Sequence, residues 1–558
     1  MYLQWICINN YRNFDYTEMS FHEDLNYFVG ENAIGKSNFL DLLSNLSQGH
    51  GFIESDFKAV DCPIRIELML QWKLPQSMAT LADDSHIHLR VEQLVQEVYP
   101  RVYKQVGDAW KRISLSMLRH VVYVCHKDTS EKELYDIPSF IFESLGQLMI
   151  EKLPDELQDV VEGAMNCQLG AASNRLDRHC FFNIRRLMEY LEFAFADELV
   201  SRYSVDNVRL VIAVALKLVV QIYMKFQSAA THAESFVVTD RHGKRYLPIF
   251  ISVDEPEIHL SPYLQRAVLS YYHSIVTNSN QPFLNILKAL FNIDGLQGQL
   301  FIVTHSTDAL VDDYRNIIRM YRGSEGKVCT ACGVTFNFPK EVEKHLIMHF
   351  PEAKEALYAR ALILVEGETE YGSFGGFGRT IGVDFDYYGI CLINARGEAS
   401  IGKLRQLFRA FAIPTVSLYD KDVKEKNGRT LLNVFYTDEI CYEMEIVSYL
   451  VHIHQRSILT EIVKDISEAG RGMVTTDMLR RSLPKLGLKP EAFSPRKVEH
   501  ISDRDTDALR IYYFAWFYTN KGIIVGRRIA KSLTPDMIPP SFYRVIERAK
   551  ELAVSAAN

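Results

Sequence analysis

The sequence contains no apolar run that could cross a bilayer. Its longest apolar stretch, residues 208–224, is interrupted by Arg209 and Lys217 and is shorter than the roughly 20 residues of a transmembrane helix. This stretch predicts a buried helix. The first ten residues have no positive patch before an apolar segment and no small-residue cleavage site, so we expect neither a secretory signal nor membrane association.

Cysteine is scarce, and neither sign of charge dominates. The nine cysteines are odd in number and lack the spacing of a disulfide framework, which predicts a reducing, cytoplasmic environment. The 62 Lys and Arg residues against 70 Asp and Glu residues give a formal net charge of -8. Because this balance excludes a surface that is basic overall, binding of DNA would require a local basic groove.

The 558 residues are too many for a single hydrophobic core, so we expect two or three domains. Short apolar strands alternate with turns in residues 1–75, a helical pattern follows up to about 226, and strand character returns at 247–253 and 299–303. These patterns predict an α/β fold. Its predicted parts are a first α/β domain at 1–325, a small Cys/His module at 326–352 and a second α/β domain at 353–558.

Within the first domain, residues of about 76–200 are predicted to form a helical insertion. Residues 140–153 and 185–199 carry apolar side chains at helical spacing. This spacing does not distinguish an ordinary helical subdomain from a dimerisation arm.

A phosphate-binding loop is the clearest motif of the first domain. Residues 30–37, Gly-Glu-Asn-Ala-Ile-Gly-Lys-Ser, match G-x-x-x-x-G-K-[ST] and follow the apolar strand 25–29. In this context the glycines let backbone N–H groups surround phosphates, Lys36 meets the β- and γ-phosphates, and Ser37 binds magnesium. The predicted nucleotide site of this loop comprises Gly30, Asn32, Gly35, Lys36, Ser37 and Asn38.

Two later strands end in polar residues that suit the same site. Residues 248–253 lead into Asp254, which can hold the magnesium shell, and Glu255, which can orient or deprotonate the attacking water. A third strand, residues 300–304, is followed by His305, which can sense the γ-phosphate. Together these residues predict that the domain binds ATP with magnesium.

Four residues at the domain junction have the spacing of a tetrahedral zinc site. Cys329, Cys332, His345 and His349 follow the pattern C-x2-C-x12-H-x3-H. This spacing predicts a zinc-finger-like module that binds Zn²⁺, and reduced surface cysteines are the alternative. The predicted helix lacks the Arg, Asn and Gln side chains that read base edges, which favours a structural or protein-docking role.

The second α/β domain contains carboxylates at the ends of two apolar strands. Residues 361–365 end at Glu366, and residues 415–419 lead directly to Asp420 and Asp422. Parallel strands would bring these ends to one edge of a sheet, where clustered carboxylates hold hard divalent cations. The pattern therefore predicts a centre that cleaves phosphodiesters with Mg²⁺ or Mn²⁺.

The nucleotide-binding motifs resemble the ABC-type ATPases of the SMC and RecF kind, and residues 8–14, Ile-Asn-Asn-Tyr-Arg-Asn-Phe, resemble the first strand of that family. In such proteins two heads sandwich ATP, and a serine-rich signature of one head caps the phosphates of the other. Residues 203–208 lack the usual Ser-Gly-Gly of that signature, although Ser204 can still contact a phosphate. The resemblance implies a homo-oligomer, and the departure favours a nucleotide sensor over rapid hydrolysis.

From Ala361 onward the chain resembles a Toprim domain, the metal-dependent module of topoisomerases, primases and some nucleases. Combined with the ATPase motifs, it resembles the OLD family of nucleases, which includes the Gabija nuclease subunit and retron-associated relatives. The resemblance spans nearly the whole chain except the Cys/His module. It implies an ABC-type ATPase head fused to a C-terminal Toprim nuclease domain.

The resemblance also implies a role for individual acidic residues. The Toprim glutamate, the second acid of its turn, the intervening glycine and the Asp-x-Asp pair correspond to Glu366, Glu370, Gly397, Asp420 and Asp422. Two metal ions about 4 Å apart could then activate a water and stabilise the leaving oxygen.

OLD nucleases also use a downstream acid and a lysine. Glu443 is the favoured acid, and Glu445 is the alternative. Lys521 is the best candidate for the lysine, which would neutralise charge growing on the phosphate oxygens during cleavage.

We therefore expect an ATP-regulated, divalent-metal-dependent DNA endonuclease that serves in defence against phage. Its expected partners are DNA, further copies of the chain and, by the resemblance, an accessory defence protein or a retron nucleic acid. The alternative is a nucleotide-dependent DNA-binding or signalling ATPase whose Toprim part is a non-catalytic scaffold. A primase or topoisomerase activity ranks third, because no tyrosine lies in a recognisable strand-passage context.

Overall fold

The chain forms two compact units, Met1–Phe336 and Asn337–Asn558. Residues 326–336, predicted to be part of the Cys/His module, therefore belong to the first unit. The computed structural model describes residues 2–71, 86–115, 118, 121–126, 141, 145, 148, 205–228, 237–240, 242–258, 260–310, 313–323, 326–344, 354–423, 431–467 and 472–557.

The first unit is built on two sheets. In chain order its strands and helices are β1 (Tyr2–Asn9), β2 (Thr17–Ser20), β3 (Leu25–Gly30), α1 (Lys36–Gln48), β4 (Ile64–Gln71), β5 (His86–Gln93), β6 (Arg101–Val106), β7 (Ala109–Ile113), β8 (Val122–His126), α2 (Val205–Ser228), β9 (Val238–Thr239), β10 (Arg245–Asp254), α3 (Pro262–Val276), α4 (Gln281–Phe291), β11 (Gly295–Val303), β12 (Ile317–Arg322) and β13 (Val328–Cys332).

One sheet is antiparallel, with strand order β2-β1-β4-β5-β6-β7. Three of its strands, β5 to β7, occupy residues that we predicted to begin the helical insertion, so that prediction was wrong for residues 86–113. The reason is visible in β5, where Ile87, Leu89 and Val91 are buried at alternate positions between polar residues. Apart from positions 141, 145 and 148, the predicted helices at 140–153 and 185–199 lie outside the described residues.

The other sheet carries the nucleotide-binding motifs, with strand order β13-β12-β3-β11-β10-β8. Its strands from β12 to β8 are parallel, so that β3, β10 and β11 end at the same edge. Phe28 of β3, Phe39 of α1 and Phe301 of β11 pack together, with ring centroids 4.8 Å apart for Phe28 and Phe39 and 5.9 Å apart for Phe39 and Phe301. This aromatic contact holds the first helix against the sheet.

The predicted buried helix at residues 208–224 is confirmed as part of α2. Side chains from 213 to 220 are all buried, including Lys217, which is 3% exposed. None of the helices in the described parts of the chain is both long enough and apolar enough to cross a membrane.

The structure does not support the predicted zinc site at its two cysteines. Cys329 and Cys332 lie in the single extended strand β13, which pairs with β12. Side chains three positions apart in a strand point to opposite faces of the sheet, so these two thiols do not form one side of a tetrahedral site. The Cys332 sulfur instead accepts a hydrogen bond from the Ser20 N–H at 3.3 Å. His345 and His349 lie outside the described residues, and a bound Zn²⁺ is not supported.

The second unit is an α/β domain. Its elements are β14 (Ala361–Val365), α5 (Glu368–Thr380), α6 (Phe385–Tyr388), β15 (Ile390–Asn394), α7 (Glu398–Ala410), β16 (Thr415–Tyr419), β17 (Val434–Tyr436), α8 (Tyr442–His452), α9 (Arg456–Ile466), β18 (Met473–Val474), α10 (Thr476–Ser482), β19 (Arg496–Lys497), α11 (Thr506–Thr519), α12 (Ile523–Ser532) and α13 (Pro540–Ala557).

The central sheet of this unit is parallel, with strand order β15-β14-β16-β17. Every residue of β14 is fully buried, because the strand lies in the interior of the sheet and carries only apolar side chains. The carboxyl ends of β14 and β16 lie side by side, with Leu364 opposite Ser417. The residues that follow these two strands therefore emerge at one edge of the sheet.

Helices α5 and α12 pack closely because glycines lie at their contact. A Cβ atom at Gly526 of α12 would lie 2.1 Å from the Thr369 carbonyl oxygen of α5, and one at Gly372 would lie 2.5 Å from the Ile523 carbonyl oxygen. The backbones can approach this closely only without side chains at these positions. The contact holds the start of α12 beside the start of α5.

We expect Gly526→Ala to destabilise the protein by about 1–3 kcal/mol, because the added methyl group would overlap backbone atoms of α5. The thermal unfolding midpoint should fall by several degrees. Gly375→Ala is the matched control: its Cβ would meet nothing within 4 Å, and it should leave stability unchanged or raise it by up to about 1 kcal/mol. Equal midpoints for the two variants would contradict the proposed packing.

Candidate functional site

The first unit contains a cavity of about 550 Å³ at the phosphate-binding loop. The loop follows β3 and precedes α1, and Gly35 has a φ of +106°, which a residue with a side chain rarely adopts. The cavity is lined by Asn32, Ala33, Gly35, Lys36, Ser37, Asn38, Glu255, Val303 and His305. The structure thus brings the predicted loop residues together with Glu255 and His305.

Lys36 lies at the floor of this region and is 5% exposed. Its ammonium group donates hydrogen bonds to the carbonyl oxygens of Gly30 and Glu31, at 2.9 and 2.7 Å. Burial lowers the pKa of Lys36 to about 8, and the carboxylate of Glu255 acts in the opposite direction. A buried ammonium group of this kind is suited to a negatively charged phosphate.

The carboxyl ends of β10 and β11 supply the remaining predicted residues. The Ser37 hydroxyl donates to an Asp254 carboxylate oxygen at 3.3 Å, so the two predicted magnesium ligands are neighbours. Glu255 has a left-handed backbone with φ of +50°, and its carboxylate lies 3.8 Å from His305 Nε2. Burial, followed by the charge of Lys36, lowers the pKa of His305.

Two residues that the sequence analysis missed hold this arrangement in place. The Glu257 carboxylate accepts hydrogen bonds from the His305 N–H at 2.5 Å and from the Thr304 hydroxyl at 2.8 Å. Asn13 donates from its amide to the Ile34 carbonyl oxygen at 2.6 Å and so braces the phosphate-binding loop. Ser204 of the signature region lies outside the described residues.

A second candidate site lies at the carboxyl edge of the parallel sheet in the other unit. We use the term carboxylate cluster for Glu366, Glu370, Asp420, Asp422 and Glu443. Glu366 follows β14 and Asp420 follows β16, and the backbone of Asp420 partly opposes the rise in the pKa of Glu366. Gly397, at φ of +123°, donates its N–H to the Glu366 carbonyl oxygen at 2.9 Å.

Burial and mutual repulsion make four members of the cluster, Glu366, Glu370, Asp420 and Glu443, hard to ionise. Burial, followed by the charges of Glu366 and Glu443, raises the pKa of Asp420 to about 8. Burial also raises the pKa of Glu366, with further contributions from Glu398 and Asp422. An Asp420 oxygen accepts from the Tyr442 N–H at the start of α8, at 3.2 Å.

Glu370 and Glu443 are the most deeply buried members of the cluster, at 7% and 6% exposure. Burial, then the charges of Glu443 and Asp420, raises the pKa of Glu370 well above its usual value. The pKa of Glu443 is likewise raised by burial, and the charge of Lys521 opposes the rise. The electrostatic coupling therefore links all of these acids into one group.

The cluster has properties that suit a divalent cation. One Glu366 carboxylate oxygen is buried without a hydrogen-bond partner, and carboxylate oxygens are the ligands that hard cations prefer. Within the parts of the chain that the structure describes, no three His, Cys, Asp or Glu side chains are already arranged around a metal position. Carboxylates without a cation between them repel one another, which opposes such an arrangement.

Of the two candidate downstream acids, Glu443 belongs to the cluster and Glu445 does not. Glu443 accepts a hydrogen bond from the Thr369 hydroxyl at 3.3 Å. Glu445 accepts from the Ser541 hydroxyl and from the Glu439 N–H, both at 2.6 Å, which gives it a structural role.

Two lysines interact electrostatically with members of the cluster. Lys521 acts on Glu443, and the next residue, Gly522, donates its N–H to the Thr369 hydroxyl at 3.1 Å. Lys485, which the sequence analysis missed, forms an ion pair with Asp422 at 2.6 Å between Nζ and Oδ2. No sequence motif marks Lys485, because it lies in a short 3-10 turn far along the chain from Asp422.

Comparison with known protein families agrees with the two units. The family described as overcoming lysogenization defect protein-like, TOPRIM domain, matches residues 357–422, which include four of the five members of the carboxylate cluster. The family described as AAA ATPase domain matches residues 1–150, which include the phosphate-binding loop.

Some individual proteins are similar to this chain over part of its length. The DNA replication and repair protein RecF of Bacillus pumilus is 36% identical over 58 residues, covering 10% of this chain and 16% of that protein. RecF of Leptospira biflexa is 43% identical over 56 residues, covering 10% of this chain and 15% of that protein. The chain thus matches only a small share of the length of these relatives.

Solved structures are similar at low identity. A structure of the C-terminal region of the Burkholderia pseudomallei OLD protein is 15% identical and covers 35% of this chain and 99% of its own, with a TM-score of 0.23. A structure of an SMC head bound to the C-terminal winged-helix domain of ScpA is 10% identical and covers 59% and 97%, with a TM-score of 0.31.

The raised pKa of Asp420 predicts how stability depends on pH without metal. The folded state keeps a proton on this acid up to about pH 8, whereas the unfolded chain loses it near pH 4, so stability falls as pH rises between these values. In EDTA, Asp420→Asn should therefore be more stable than the natural protein at pH 8.5, by on the order of 5 kcal/mol, and the difference should shrink to about 1–2 kcal/mol at pH 5.

Thermal unfolding at several pH values measures this difference. The control is Asp438→Asn, which removes an exposed carboxylate of the same unit. If the stability of Asp420→Asn depends on pH in the same way as that of the natural protein, the pKa of Asp420 is not raised as the structure indicates.

Proposed function

Because the chain is an ATPase–Toprim protein of the OLD family, we propose that it is an ATP-regulated, divalent-metal-dependent DNA endonuclease. The carboxylate cluster is the observation that carries this proposal. It places acidic side chains from two strand ends and two helices in one electrostatically coupled group. Ionisation of these acids beside one another is unfavourable, and a bound divalent cation would offset that cost, which favours a metal-binding role.

The acidic residues and the lysine have different roles in the proposed reaction. Glu366, Glu370, Asp420, Asp422 and Glu443 would hold Mg²⁺ or Mn²⁺. Ions bound there would supply an activated water and stabilise the leaving oxygen of the phosphodiester. Lys521 is exposed at the rim of the cluster and carries the positive charge that a cleaved phosphate group requires.

The nucleotide site of the first unit is proposed to regulate cleavage. Lys36 and Ser37 would bind the phosphates and the magnesium ion of ATP, with Asp254 completing the magnesium shell. Glu255 would orient the attacking water, and His305 would sense the γ-phosphate. Association of two ATPase heads, a partner nucleic acid or defence protein, and a role in defence against phage are further parts of the proposal that follow from the family.

A second candidate function is a nucleotide-dependent DNA-binding or signalling ATPase with a non-catalytic Toprim scaffold. One observation favours it: among the described residues, no three acidic side chains are already arranged around a metal position. A nicking assay with and without EDTA separates the two functions, because only the nuclease loses activity when divalent metal is removed.

We expect Glu366→Ala and Glu443→Ala to reduce nicking of supercoiled plasmid in Mn²⁺ by about a hundredfold or more, because each removes a proposed metal ligand. The matched control is Glu445→Gln, which changes the neighbouring acid of the same helix but lies outside the carboxylate cluster. It should retain most of the activity. Full nicking by both alanine variants would refute the proposed nuclease centre.

We expect Glu255→Gln to retain ATP binding but to slow hydrolysis by about tenfold or more, because the amide cannot deprotonate the attacking water. Binding of a fluorescent ATP analogue and release of phosphate measure the two steps separately. Lys36→Ala is the comparison, since it should lose binding itself. Unchanged hydrolysis in Glu255→Gln would show that this carboxylate takes no part in the reaction.

A further inference from the structure

Asp422, a member of the carboxylate cluster, already has a cationic partner. Lys485 Nζ lies 2.6 Å from Asp422 Oδ2, and the two side chains are 28% and 35% exposed. A metal ion bound by Asp422 would need the same carboxylate oxygens. The Lys485 ammonium group would therefore compete with a metal ion for the Asp422 carboxylate.

The position of Lys485 is fixed by its own short turn. The 3-10 turn Leu483–Leu486 follows α10, and Leu483 is fully buried in the core of the unit. Gly487, with φ of +71°, closes the turn by donating its N–H to the carbonyl oxygens of Leu483 and Pro484. The backbone is therefore anchored on both sides of Lys485, which keeps its side chain within reach of Asp422.

Two other lysines in the described part of this unit make different interactions. Lys421, the residue before Asp422, donates from its ammonium group to the Asp438 carbonyl oxygen at 2.6 Å. The charge of Lys521 acts on Glu443. The charge of Lys485, in contrast, favours the ionised forms of Asp420 and Glu366 as well as pairing with Asp422.

We propose that Lys485 is an exchangeable counter-ion that occupies Asp422 in the metal-free protein and must leave it when a divalent cation binds. Lys485 is thus a positioning residue that sets the metal affinity of the carboxylate cluster. This inference rests on the proposed function, because it assumes that the cluster binds divalent metal.

The test is the affinity of the full-length protein for Mn²⁺, measured by electron paramagnetic resonance of free Mn²⁺ without DNA or nucleotide. Lys485→Gln should bind Mn²⁺ roughly three- to tenfold more tightly, because it removes a competing cation from a partly exposed ion pair. Lys485→Arg should restore the natural affinity. The control is Lys489→Gln, which removes an exposed lysine of the same segment and should change little.

A double-mutant cycle separates the Asp422 contact from a general loss of positive charge. In an Asp422→Asn background, Lys485→Gln should no longer tighten Mn²⁺ binding. Unchanged or weaker Mn²⁺ binding by Lys485→Gln, in a variant whose thermal midpoint matches the natural protein, would overturn the inference.

The same titration distinguishes this inference from the proposed function. Asp420→Ala should abolish Mn²⁺ binding at the cluster. If it does so while Lys485→Gln has no effect, only the role of Lys485 is refuted. If Asp420→Ala binds Mn²⁺ as well as the natural protein, the proposed metal centre and this inference both fail.

Discussion

The burial of several carboxylates at one edge of a parallel sheet is the constraint on which the second unit depends. Adjacent parallel strands β14 and β16 end together, so Glu366 and Asp420 emerge side by side, and helices α5 and α8 add Glu370 and Glu443. Burying like charges without compensation costs several kcal/mol per group, and proteins tolerate it mainly at functional sites. Ionisation of these acids therefore lowers the stability of the protein, and the proposed divalent cation would offset that cost.

The nucleotide site of the first unit also buries a charged group, but there the charge is positive. Lys36 is buried, and its ammonium group donates hydrogen bonds to uncharged acceptors, the carbonyl oxygens of Gly30 and Glu31 in its own loop. Local contacts hold residues of both sites in place. Asn13 bonds to the phosphate-binding loop, Glu257 bonds to Thr304 and His305, and the close packing at Gly526 holds the start of α12 against α5.

Part of this organisation could be predicted from the sequence. The sequence predicted that Glu366 and Asp420 are neighbours, because each directly follows a continuous apolar run. Such runs are typical of buried parallel strands, whose carboxyl ends meet at one edge of a sheet. Lys485 could not be found, because its contact with Asp422 is purely tertiary. The zinc prediction failed because C-x2-C spacing also occurs within an ordinary strand, as in β13. In β5 the apolar residues alternate with His and Arg, which is a strand pattern that the helical prediction overlooked.

A crystal of the full-length protein soaked in Mn²⁺ and measured at the manganese absorption edge tests the central claim most directly. The account predicts anomalous density among Glu366, Asp420 and the other members of the carboxylate cluster, with Lys485 turned away from Asp422. Manganese bound elsewhere, with the cluster empty and the Lys485–Asp422 ion pair intact, would contradict it.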